Sequence, residues 1–539
     1  MSPTAEAPTP ASLGLPAKFK SFRKGQYEVA EKVAKSPTRF NLVSAPTGAG
    51  KSGIYATASK LLPKGFRTLV LTGTKGLQDQ VHREFESMGM ADVRGRDNYS
   101  CGSPGMTSCG DPYRMEAECL VIPSSCPRRI AFGAASQALS VVGNYATWLA
   151  MEKHGNPNEL GDLGLLVLDE AHTAEDWLQS VCEIELSRRD LDLVGAMKSL
   201  PGMPAEGLTE NLSDWGKWAQ KSLPLVQTAL ESKLPTQRKR LVSLKKTLVD
   251  LSGLVRETLE PGNGWVIEEH EEKYARQSDQ KIVISPVWPR MFAERYLFRG
   301  IGKILLTSAT LSPSTPRYLG IPKSAYTLHE VESTFPAKRR PFYYIPSVRV
   351  DFRMGEGEIR ILVNDIDRFI GPRLDLGRKG LIHCRSFAHG AHLLRLSKYR
   401  HQMIFHGPGE AREAVAKYLA SRTPVILVSP SIEEGFDFPG DDARFQVIWK
   451  TPFADTRGAL MSTRVAQDDR YRNYLTAKSV VQATGRVVRS EDDWGETAIF
   501  DSHWGWFHNS VAKEEFPMWF RKSWVDMGEG KFPPPIQLS

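Results

Sequence analysis

The stretch SAPTGAGKS (44–52) directly follows the apolar run FNLV (40–43) and opens a segment with helical spacing. A glycine-rich turn between a buried strand and a helix lets backbone N–H groups reach phosphate oxygens, and the helix start adds its positive end. In that pattern Thr47, Gly48 and Gly50 shape the loop, Lys51 reaches the β/γ-phosphates and Ser52 ligates Mg²⁺. The strict form has glycine at the position of Ala45, so the loop alone is less specific than a full match, and a ligand-free strand-to-helix turn is the plain alternative. The loop nevertheless constrains the architecture. It belongs to a parallel α/β layer whose chemistry collects at the carboxyl ends of the strands.

The rest of the chain fits that demand twice. One region carries uninterrupted apolar runs at 40–46, 68–73, 163–171 and 303–310, and a second at 342–346, 379–384, 424–430, 445–450 and 497–501. Runs of this kind ending in small or polar residues read as strands buried on both faces. A chain of 539 residues is also too long for one core, and two to four domains are expected. No apolar run reaches 18 residues, and the first twenty residues lack a charged-then-apolar signal pattern, which gives the expectation of a cytoplasmic protein with no membrane span. The net charge of +8 suits a polyanionic partner without proving one.

Two further sites complete the chemistry of phosphoryl transfer. LLVLDEAH (165–172) ends a buried strand in adjacent carboxylates: Asp169 would hold Mg²⁺, and Glu170 would position and activate the attacking water. QATGRVVR (482–489) places Arg486 and Arg489 three apart, on one face if helical, to meet charge spreading over the γ-phosphate oxygens. A solvated arginine pair is the bland reading of RxxR, and Gln482 and Gly485 at this spacing weigh against it.

Four of the six cysteines, Cys101, Cys109, Cys119 and Cys126, fall within 26 residues, in a stretch rich in Gly and Pro with weak periodicity. In a reducing compartment such clustering points to a metal before disulfides. The spacing C-x7-C-x9-C-x6-C names no metal by itself and lacks the C-x2-C pairs of typical zinc sites. Cys182 and Cys384 sit in apolar contexts and read as packing residues.

In their order the motifs resemble superfamily 2 helicases, and with the cysteines the chain resembles the XPD/DinG family from about residue 20 to 505. FRKGQ (22–26) is similar to the adenine-reading motif, with Gln26 at the adenine edge, and LTGTKGLQDQ (71–80) to the DNA-contacting segment. TSAT (307–310) is similar to the motif linking hydrolysis to DNA contact. HCRSF (383–387) and SIEEGFDFPG (431–440) match the second motor domain, where Glu434, Gly435 and Asp437 fit the EG-x-D signature. The resemblance implies two RecA-like parallel-sheet motor domains, ATP and Mg²⁺, and a [4Fe–4S] cluster on the four cysteines, preceded by the family's tyrosine in GRDNYSC (95–101).

On this basis the expected organisation is a disordered lead-in (1–18) and a first motor domain (19–92, 131–182 and 263–315). Into it are inserted a cluster domain (93–130) and a helical, arch-like segment (183–262), and a second motor domain (316–539) follows. The run QRKRLVSLKK (237–246) would line a DNA path or present a solvated helix face. The implied function is a monomeric 5′-to-3′ motor on single-stranded and forked duplex DNA, nucleoid-associated if prokaryotic or phage-encoded. The family serves repair, R-loop removal, transcription-linked repair, phage replication and CRISPR-associated interference. An RNA or RNA–DNA hybrid motor, and a DNA-binding subunit with a vestigial ATPase, remain alternatives. One departure is Asp501-Ser502-His503 where the family has Asp-x-Arg, which bears on ATPase rate more than on fold.

Overall fold

The computed structural model describes residues 8–46, 48–101, 107–110, 125–204, 206–232, 235–254, 264–271, 280–333, 336–430, 436, 438–488 and 493–537. Two seven-stranded parallel sheets form the two RecA-like layers. The first runs Tyr326–Glu330, Phe40–Ser44, Lys303–Ser308, Leu165–Asp169, Thr68–Thr72, Ser140–Asn144, Ala91–Asp92. The second runs Met403–Ile404, Ile426–Ser429, Gly380–His383, Phe445–Ile448, Glu496–Ile499, Phe342–Tyr344, Trp524–Asp526.

Alternation along the strands explains the continuous apolar runs. Leu42, Leu71, Leu166 and Leu306 enter one core of the first sheet, while Val43, Val70, Val167 and Leu305 enter the core on its other face. The second sheet divides the same way, with Ile382 and Val428 on one side and Leu381 and Leu427 on the other. Each such side chain contributes about 1.5–3 kcal/mol of burial, so a polar residue at either parity would be costly.

Register then fixes the site. Ser44 lies opposite Ser308, and Thr307 opposite Asp169, so the phosphate loop, the DEAH turn and the TSAT turn leave adjacent strands at one edge.

Three boundaries differ from the sequence expectation. Residues 8–18 are not a loose lead-in: Thr9 and Ser12 cap one another reciprocally, and Leu15 is buried in the core that holds Val29, Ile54 and Tyr55. Pro, Ala, Ser and Thr dominate that stretch, but Leu15, with Leu13 packed beside the same core, docks it on the phosphate-loop helix. The arch-like insertion is also more than helical. Its helices Ser213–Ser232 and Pro235–Leu254 pack along each other above a four-stranded antiparallel sheet that includes Trp265–Glu271 and Gln280–Pro286, so the insertion extends past 262 to about residue 286. Finally, Tyr326–Glu330 pairs with Phe40–Ser44, which moves the exit from the first domain beyond 315. As an edge strand it is half-exposed and polar, so it lacks the apolar signature of its neighbours.

The two domains meet through the helix Arg470–Thr484. Tyr471 Oη donates to Glu175 (2.7 Å), and Arg464, just upstream, donates to Gln179 (2.6 Å) and to the backbone carbonyl of Val287 (2.5 Å). Trp288, Tyr318, Tyr471 and Tyr474 interlock as an aromatic knot at the junction with the insertion.

Candidate nucleotide site

The phosphate loop closes on two left-handed glycines, Gly48 (φ 79°) and Gly50 (φ 76°), after which Lys51 begins the helix Lys51–Leu61. A side chain at either glycine would be strained. Gln26 is almost wholly buried beneath this loop: its amide nitrogen donates to the Gly50 carbonyl (2.9 Å) and its oxygen accepts from the Arg23 amide (3.0 Å). Gly53 makes the room, since a Cβ there would fall 2.2 Å from the Gln26 amide nitrogen. The Arg23 guanidinium donates to the Gly48 carbonyl. Thr47 lies outside the described residues.

Facing the loop, Asp169 ends its strand with its backbone carbonyl accepting from Tyr145 Oη (3.0 Å). Glu170 then turns left-handed (φ 49°), an uncommon conformation for a non-glycine residue, which aims its carboxylate at Lys51. Burial pushes the Asp169 carboxyl up to about 6, against the pull of Lys51. Burial acts the same way on Glu170, but Lys51 and a hydrogen bond from His172 outweigh it and hold that carboxylate well below its usual range. The two neighbouring carboxyls are thus pushed in opposite directions, Asp169 up by burial and Glu170 down by Lys51 and His172. Ser52 Oγ donates to Glu84 (3.1 Å), which also pairs with Lys18 (3.0 Å).

The second domain reaches this site through His172. Gln482 contacts His172 Nε2 (2.6 Å), and His172 Nδ1 faces Ser308 Oγ (2.7 Å) and Glu170 (3.2 Å). Ser308 Oγ donates to Glu170 Oε2 (3.1 Å). Lys478, one turn before Gln482, donates to the His172 carbonyl (3.0 Å) and to Asp176 (3.0 Å). Burial lowers the His172 pKa, which favours the neutral imidazole at this contact between the domains. Sequence reasoning assigned no part to His172, Ser308 or Lys478. The final letter of DEAH and the serine of TSAT were the available signals.

Arg486 follows this helix, and its Nη1 donates to the Phe436 carbonyl (3.0 Å) inside its own domain. Arg489, Glu434, Gly435 and Asp437 lie outside the described residues. Just past the strand Glu496–Ile499 of the second sheet, Asp501 is fully buried and accepts from the amides of Val350 (3.1 Å), Thr451 (2.9 Å) and His503 (3.1 Å). His503 rests on Asp501 and on the Phe453 ring. Asp501 thus ties three loops together, and His503 takes part in that packing.

Of the clustered cysteines, Cys101, Cys109 and Cys126 are described and Cys119 is not. A bridge between Ser100 and Ser108 pins the flanks of the first two, and Cys126 precedes the helix Pro127–Gln137. Burial pushes the Cys109 thiol up, Arg96 and Arg128 pull it down, and Cys126 and Cys101 are near enough to act on it electrostatically. Among the described residues no three His, Cys, Asp or Glu side chains are close enough to hold a single metal ion. Cys182 and Cys384 are buried in the cores.

Two family models match the chain: the DEAD/DEAH box helicase over residues 23–198 and the helicase C-terminal domain over 379–523. Among solved structures, an XPD helicase aligns at 15% identity with a TM-score of 0.60, covering 94% of this chain and 99% of that one. S. tokodaii Xpd4 aligns at 14% with a TM-score of 0.58, covering 94% and 100%. At such identities the likeness speaks for the fold. No curated protein matches by sequence.

Proposed function

We propose that this chain, which belongs to the DEAD/DEAH-box helicases and is an ATP-dependent helicase, is of the XPD/DinG type, travels 5′ to 3′ on single-stranded DNA and opens forked duplex. The observation that carries this reading is the convergence of Lys51, Glu170, His172 and Gln482, which joins the phosphate loop of one domain to the arginine-bearing helix of the other.

In this reading ATP lies between the domains. Gln26 reads the adenine, the loop residues Thr47, Gly48 and Gly50 cradle the phosphates, and Lys51 leaves Glu170 for the γ-phosphate. Ser52 and Asp169 would hold Mg²⁺, which would offset charge on the phosphates, and Glu170, once released, takes the proton of the attacking water. Arg486 and Arg489 meet the γ-phosphate on closure, with Glu434, Gly435 and Asp437 beside them. Cleavage removes that contact and the domains part. Alternation of the two states moves the strand.

The four cysteines Cys101, Cys109, Cys119 and Cys126 would hold a [4Fe–4S] cluster, which supplies a rigid covalent staple for a stretch with little apolar core. The nearness of the Cys101 and Cys126 thiols to Cys109 supports this. A cluster also spaces its thiolates more widely than a single ion does. Anaerobically purified protein is expected to carry about four irons and four sulfides with broad visible absorption. Zinc in their place would remove the cluster from the reading and leave the motor.

A recess of about 280 Å³ between the cysteine-bearing region and the helical hairpin is lined by Arg94, Arg96, Arg128 and Lys246, which suits a phosphate backbone. The test is phosphate release with single-stranded DNA and RNA of one sequence. DNA is expected to stimulate about tenfold more than RNA, with affinity falling steeply with salt. Equal or greater stimulation by RNA would transfer the motor to RNA, and no stimulation by either would leave only a vestigial ATPase.

A further inference from the structure

The segment 307–315 is gripped at its two ends by different domains. At its start Ser308 belongs to the nucleotide site, bonded to Glu170, to His172 and to Thr310 Oγ1 (3.0 Å). Ala309, Ser312 and Ser314 find partners near the end of the chain. Trp519 Nε1 donates to the Ala309 carbonyl (2.9 Å), while Ser312 Oγ and Ser314 Oγ (2.7 Å) each donate to one oxygen of the Glu515 carboxylate. The Ser314 amide donates back to Ser312 Oγ (3.0 Å), so both hydroxyls are held in one orientation.

Trp519 also faces the arginine-bearing turn. The Arg340 guanidinium stacks on its ring at 4.7 Å, and a cavity of about 20 Å³ beside them is lined by Thr484 and Gly485, which immediately precede Arg486. Arg340 Nε is buried there without a hydrogen-bond partner among the described residues. Trp519 therefore lies between the TSAT turn and the turn that carries Arg486, with room on one side to shift.

We infer that Glu515 and Trp519 are positioning residues that carry the state of the nucleotide site into the second domain, acting through the TSAT segment. When Lys51 leaves Glu170 for a nucleotide, Glu170 is free to change its bond to Ser308. A stretch of seven residues pinned at Ser308, Ala309, Ser312 and Ser314 has little slack to absorb that change. The displacement passes to Glu515 and Trp519, and by way of Trp519 to the turn before Arg486. The inference rests on the proposed motor cycle but makes its own demand, that two residues remote from the phosphates sense what is bound there.

The experiment has two arms, both on the full chain. In the first, ADP–beryllium fluoride is added without DNA and tryptophan emission is read. The wild type is expected to change emission, Trp519→Phe to lose most of that change, and Glu515→Gln, which keeps the reporter, to reduce it about fivefold or more. In the second, base pairs opened per ATP hydrolysed are counted on a fork. Glu515→Gln and Ser314→Ala are expected to lower this ratio about fivefold or more, and Ser314→Thr, which keeps the hydroxyl, to preserve it. A variant that merely unfolds part of the protein lowers both quantities and leaves their ratio alone. Wild-type emission change in Glu515→Gln overturns the inference. If the wild type hydrolyses ATP but opens no duplex, the motor reading fails, and the emission arm still decides the role of Glu515 and Trp519.

Discussion

Glu170→Gln is expected to slow ATP turnover by about 10²–10⁴-fold while leaving nucleotide affinity equal or tighter. The slowing follows from the proposed role of Glu170 as proton acceptor. An amide of the same shape keeps the hydrogen bond from Ser308 and removes the basicity. The affinity follows from the observed resting contact. Lys51 is paired with Glu170, so a nucleotide must break a charge-assisted bond before the lysine can reach phosphate. Glutamine weakens that competitor. Lys51→Ala should give the opposite signature, with turnover and affinity lost together, because the lysine meets phosphate in both ground and transition states. Single-turnover phosphate release alongside equilibrium nucleotide binding separates the two cases. A Glu170→Gln enzyme that turns over within about threefold of wild type would remove the residue from the chemistry.

What could be read beforehand follows from range. The strands buried on both faces, the phosphate loop and the DEAH turn were legible because each is a local pattern whose cause is local. A central strand of a parallel sheet needs an unbroken apolar run, and a phosphate turn needs glycines. The contact of His172 with Gln482 was not legible, because it joins positions 310 apart and neither motif names the other as its partner. Nor was the grip of Glu515 on Ser312 and Ser314, where serines read as loop and glutamate as surface. The strand Trp265–Glu271 mixes apolar with charged residues and was passed over for the stronger helical periodicity before it. Leu15 was lost in a composition that reads as disorder. Among the site residues, the register of Ser44, Ser308 and Asp169 brings the expected groups of the first domain together, while the helix Arg470–Thr484 supplies the part that only tertiary structure reveals.

Glu496→Ala is expected to destabilise the second domain by about 3–5 kcal/mol, the cost typical of leaving a buried charge without its partner. Glu496 opens the strand Glu496–Ile499 and is fully buried, as is Arg373 in the helix Glu356–Asp375, whose guanidinium donates to it. The same guanidinium donates to the Phe369 carbonyl (2.7 Å), stacks on the Phe369 ring at 3.6 Å, and reaches the Pro533 carbonyl (3.4 Å). Glu496 in turn accepts from the Ile536 amide. Glu496, with Arg373 against one oxygen and Arg378 at 3.7 Å from the other, thus fastens helix, sheet and C-terminal tail, and its removal strands the Arg373 guanidinium where no water can reach it. The charge itself need not be the stabilising element. Arg373→Met combined with Glu496→Leu should recover much of the loss, because the more deeply buried guanidinium goes with its partner and similar volume is filled, while Arg378 keeps its bond to the Ile536 carbonyl. Urea unfolding followed at Trp494, which packs against the guanidinium groups of Arg378 (4.5 Å) and Arg444 (4.6 Å), reports this domain's own transition. If the single replacement shifts that transition by less than about 1 kcal/mol, the pair is hydrated in solution and the tail does not seal it.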